Sequence, residues 1–184
     1  VTGEVSASLR LRSVEVELGG WVFRIDPLPA ADWIEAVLTE DLAAIFPGLL
    51  RDRGLEGDVW AMLLDGTADR ADLVGAGQRA LADASGRSWW EAQRLVHAAT
   101  EVRTKPVVFG ALVRAGFDFQ ERSLGAFLDA VYSFAVEGAT DEARLRLDTE
   151  LRSPPPGVDE QDVYSDEEAE ADFLLALGDS GSGA

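Results

Sequence analysis

The chain has 184 residues, of which 34 are acidic and 16 basic, giving a formal net charge of -18. That sign is wrong for clamping nucleic-acid phosphates or an anionic membrane, so neither is expected as a partner. Cysteine is absent and histidine occurs once, at His97, which removes disulfides, thiolate nucleophiles, cysteine metal sites and most catalytic dyads and triads.

Local patterning begins with Ser13–Leu18 and Trp21–Ile25 around Gly19-Gly20. Val14, Val16 and Leu18 alternate with Glu15 and Glu17, the period of a half-buried strand, and two glycines supply the positive φ angles of a tight turn, so a β-hairpin is predicted. Leu9 and Leu11 alternate with Arg10 and Arg12, which allows a preceding strand or extended arm. A sheet this small needs helices to cover its apolar face.

The helices are predicted to follow from residue 30. Ala30–Leu38 places Trp33, Ile34, Val37 and Leu38 on one face. Thr39 is the expected cap of a short acidic-started helix that stops at Pro47-Gly48. Asp58 is expected to cap Val59–Leu64, Thr67 to cap Ala68–Asp83, and Ser88 to cap Trp89–Arg103. Pro106 opens Val107–Ala115, ended by Gly116. Ser123 opens an amphipathic helix with Leu124, Phe127, Leu128, Val131, Phe134 and Ala135 on one stripe. Thr140 caps Asp141–Leu151. The expected fold is mainly α: an N-terminal β-hairpin packed on a compact multi-helix domain over residues 1–152.

The character changes at Ser153. Pro154-Pro155-Pro156-Gly157 cannot continue a helix, and residues 158–184 carry nine acidic side chains and no basic ones. An acidic, flexible tail over residues 153–184 is therefore expected. Within it Asp166–Leu177 starts acidic and ends apolar, so Phe173, Leu174, Leu175 and Leu177 are a candidate docking element. Folding back onto the body is the competing reading.

Chemical motifs are scarce. Gly75 and Gly77 fall inside a predicted helix and form no phosphate loop. Asp65, Asp69 and Asp72 lack the ligand spacing of a calcium loop. No cofactor, metal site or enzymatic activity is expected. On the helix carrying His97, Ala92, Leu95, Val96 and Ala99 make the core face, while Trp90, Arg94, His97 and Glu101 stack opposite. Trp90, Arg94 and His97 are thus a candidate partner-binding patch, since tryptophan and arginine are enriched at binding hot spots. The alternative is that this helix is central and Trp90 packs on a second neighbour, the commoner fate of a tryptophan in a bundle.

The hairpin around Leu18-Gly19-Gly20-Trp21, the exit Pro27-Leu28-Pro29 into Ala30-Ala31-Asp32-Trp33, and the helical body followed by an acidic tail resemble the tail assembly chaperones of long-tailed phages. Fifteen of the 16 basic residues are arginine and asparagine is absent, a bias expected of a GC-rich genome and so of phages infecting actinobacteria. The resemblance implies a non-enzymatic helper in the host cytoplasm that coats the tape measure protein and helps recruit tail-tube subunits. It implies no catalytic residue and leaves homo-oligomerisation open. A structural tail-completion or head-tail connector protein is the alternative, and a small enzyme a third reading.

Overall fold

In a computed structural model, residues 11, 13–39, 41–50 and 54–158 are described. The chain divides into two units, 1–152 and 153–184. In the first, a β-hairpin is followed by eight helices: β1 (Val14–Leu18), β2 (Trp21–Ile25), α1 (Ala30–Val37), α2 (Leu42–Leu50), α3 (Glu56–Asp65), α4 (Arg70–Ser85), α5 (Trp89–Thr100), α6 (Lys105–Arg114), α7 (Leu124–Val136) and α8 (Asp141–Arg152). The fold is mainly helical with an N-terminal hairpin. Of the second unit only residues 153–158 are described; they hold no helix or strand. Phe173, Leu174, Leu175 and Leu177 lie outside the described residues, as does Leu9.

The hairpin follows its sequence signature. β1 and β2 pair antiparallel with Leu18 opposite Trp21 and Val14 opposite Ile25. Gly19 and Gly20 both have positive φ, 58° and 78°, the combination that matches the twist of the strands. Val14, Val16, Leu18, Phe23 and Ile25 are buried against the helices. The Phe23 ring meets Phe46 of α2 edge-on at 5.5 Å between centroids. β1 lies along α4, where Arg79 donates from Nη2 to the Glu17 carbonyl at 2.9 Å.

The densest helix packing joins α2 and α4. At their crossing a Cβ on Gly77 would sit 2.4 Å from the Leu42 carbonyl oxygen, so glycine is required for the backbones to approach this closely. Helix α2 also differs from its expected length: it runs through Pro47 to Leu50. Proline removes one helical hydrogen bond and clashes with the preceding turn at about 3 kcal/mol, but continuing the helix buries Leu49 and Leu50. Each such burial contributes about 1.5–3 kcal/mol, which offsets the break.

Three caps shift from their expected positions, the first two for the same reason. A carboxylate nearer the first turn takes the backbone donor that a hydroxyl was expected to take. The Asp41 carboxylate accepts from the Ala43 amide at 3.0 Å, while Thr39 donates its hydroxyl to the Ala36 carbonyl and closes α1 instead. At α4 the cap is Asp69, not Thr67: Asp69 and Asp72 exchange backbone-to-carboxylate bonds of 2.9 and 2.8 Å in a reciprocal box. Helix α3 starts at Glu56, so Asp58 lies in its first turn, favoured there by the helix dipole, and is not its cap. Ser88, Ser123 and Thr140 cap as expected, accepting from Glu91, Ala126 and Ala143.

α1 has no side-chain cap, because Pro29 precedes it. Its first donors go to the loop before α7: Ala30 to the Arg122 carbonyl at 2.7 Å and Ala31 to the Phe119 carbonyl at 3.1 Å. The hairpin exit is thereby tied to the far half of the helical body. α5 stops at Thr100 rather than Arg103, where Glu101 turns extended, and Thr104 then folds its hydroxyl back onto the Ala98 carbonyl.

Candidate interaction surface

The residues of the expected patch on α5 are not presented together to solvent. Trp90 is only 6% exposed; its ring stands edge-on to Trp89 at 5.6 Å, and its Nε1 is buried without a hydrogen-bond partner. Arg94, one turn further, donates from Nη1 to the Glu150 carbonyl at 2.6 Å and the Leu151 carbonyl at 3.1 Å. A cation there satisfies the orphan carbonyls at the end of α8 and complements its dipole. His97 is half-buried on the same helix. This face of α5 is therefore turned toward α8, the second neighbour that the alternative reading allows for. The Tyr132 hydroxyl holds the same helix from α7 by donating to Asp148 at 2.6 Å, a bond that raises the phenol above its ordinary value.

Large apolar side chains are exposed elsewhere. The hairpin turn rests on the α3–α4 junction: a Cβ on Gly19 would lie 3.0 Å from Thr67 Cγ2 and 3.7 Å from Met62 Sδ. Trp21 follows that turn by one residue, and Leu64 precedes Thr67 by three. Both lie near this end of the body and are open to solvent, Trp21 at 67% and Leu64 at 89%. Val22 on β2 and Trp60, one helical turn before Leu64, are exposed as well. Trp60 is held in place, since its Nε1 donates to the Glu56 carboxylate at 3.2 Å.

Sequence reasoning missed these exposed positions. By alternation Trp21 belongs to the face of Phe23 and Ile25, yet it is exposed while its cross-strand partner Leu18 is buried. For α3 a signal did exist. Val59 and Met62 are its buried positions, which puts Trp60 and Leu64, four apart, on the other side.

The rest of the surface shows little built chemistry. Two open depressions run along α8, lined by residues such as Glu142, Leu145, Arg146 and Glu150. Among the described residues no group of three or more histidine or carboxylate side chains is placed to hold a metal ion, and no helix is long and apolar enough to cross a membrane. Arg87 joins the α4–α5 turn to Glu91 and, at 2.8 Å, to Asp129 of α7, which is a structural tie between helices. No protein family matches the chain, and neither a curated protein nor a solved structure matches it.

Proposed function

We propose that the chain is a non-enzymatic assembly chaperone of a tailed phage, binding the tape measure protein in the host cytoplasm and helping to recruit tail-tube subunits. The observation that supports the binding half of this reading is the exposure of large apolar side chains, Trp21 and Val22 on the hairpin and Trp60 and Leu64 on α3. Large aromatic and aliphatic side chains left in water at a hairpin tip and a helix face suit reversible capture of apolar helical segments. The identity of the client rests on the resemblance carried by the hairpin, its proline exit and the helical body. The acidic segment with Phe173, Leu174, Leu175 and Leu177 is the proposed second docking element, for a basic surface on the tube subunit, and its contact weakens with salt.

Mass spectrometry of purified particles tests the assignment. A chaperone acts during assembly and leaves, so its peptides are expected in infected-cell lysate and absent from mature virions. Stoichiometric recovery from virions would replace this reading with the connector.

A further inference from the structure

Helix α6 touches the body with one side and leaves the other bare. Val108 and Leu112 are buried and Phe109 is half-buried in a ring cluster with Phe119 and Phe127. On the opposite side Pro106, Val107, Gly110, Val113 and Arg114 recur at i, i+1, i+4, i+7 and i+8, the spacing of one helical face, and Arg103 stands in the turn just before the helix. Val107 and Val113 are 56% and 61% exposed.

The middle of that face is a glycine that the fold does not need. A Cβ on Gly110 would meet only the Arg114 Nη1, at 3.5 Å, and glycine weakens a helix interior. Its benefit would come from outside, as a flat spot where a second helix backbone can approach. The charge is equally distinctive. In a chain with 34 acidic residues, the stretch 102–117 holds Arg103, Lys105 and Arg114 and no acidic side chain. Among the described residues none of the three cations forms an ion pair.

We infer that this face of α6 docks an acidic amphipathic helix of a partner protein, whose apolar stripe lies over Val107, Gly110 and Val113 while its carboxylates meet Arg103 and Arg114. The site lies on α6, not on the hairpin or α3, and does not depend on the client proposed above. A helix laid on an apolar face is read through anchors three and four residues apart. The unpaired arginines at both ends select for charge and set orientation.

The probe is a synthetic helical peptide with leucine on one face and glutamate on the rest, compared with its lysine counterpart, each titrated into the full chain by methyl NMR. The glutamate peptide is expected to shift Val107 and Val113, and Val113→Asp to weaken it at least about tenfold while other signals stay in place. Reversing the ends with Arg103→Glu and Arg114→Glu should transfer the preference to the lysine peptide. Equal binding of both peptides, or no effect of Val113→Asp, overturns the proposal. It is also overturned if Val107 and Val113 signals move on dilution, which would make the face a contact between copies. Movement on replacing Phe173 and Leu175 with aspartate in the full chain would make the occupant its own acidic segment.

Discussion

Replacing Gly77 with alanine should destabilise the protein by roughly 3 kcal/mol and lower its thermal midpoint by about 6–12 °C. Helix propensity argues for the opposite sign, since alanine in a helix interior is favoured over glycine by about 1 kcal/mol. The tertiary contact wins because the new Cβ would stand 2.4 Å from the Leu42 carbonyl oxygen and 3.5 Å from Ile45 Cβ. The nearer atom is backbone, so α2 and α4 must separate, and with them part of the densest packing in the fold. Gly75, half a turn away, is the control. An added Cβ there would meet only the Arg79 guanidinium, at 3.3 Å, which a flexible side chain can move aside. Gly75→Ala should be neutral or stabilising by up to about 1 kcal/mol. Thermal unfolding of the two variants checks the account, and a Gly77→Ala protein as stable as the parent would show that the α2–α4 crossing is looser than described.

Trp90→Ala carries the largest expected cost, about 3–5 kcal/mol, as for other buried aromatic truncations. The side chain is interior, and its removal leaves a cavity beside Trp89 and loosens the face of α5 that Arg94 ties to α8. Trp90→Phe separates packing from polarity. The indole Nε1 has no partner, so deleting it loses no bond and removes a desolvated donor, a relief that offsets part of the lost volume. Phenylalanine should therefore cost less than half as much as alanine in chemical denaturation. If Trp90→Ala left stability untouched and abolished partner binding instead, the α5 face would be a contact surface after all.

What the sequence made legible was periodicity. The alternation of Val14, Val16 and Leu18 and the spacing of Leu124, Phe127, Leu128 and Val131 identified the hairpin face and the α7 stripe, and all seven side chains are buried. Capping was legible as to region but not residue, because Thr67 and Asp69 both sit near the start of α4 and only the geometry shows which side chain reaches the Asp72 amide. Pro47 reads locally as a stop, and its tolerance depends on leucines that gain their burial from other helices. Trp90 is ambiguous in principle. A helical wheel gives the direction of a side chain and cannot tell whether a later helix, here α8, arrives on that side. Trp21 fails in reverse, having the inward phase of its strand and standing exposed opposite a buried Leu18.

The claim that Trp21 and Trp60 form the client-binding surface is tested most directly by co-expressing the full chain with the product of the long open reading frame expected beside its gene, and measuring the soluble fraction of that product. The parent should keep the long protein soluble, and Trp21→Asp with Trp60→Asp should abolish this with little change in the thermal midpoint, because exposed positions outside the core shift stability by only about 0.5 kcal/mol each. Full solubilisation by the doubly substituted protein would contradict the account.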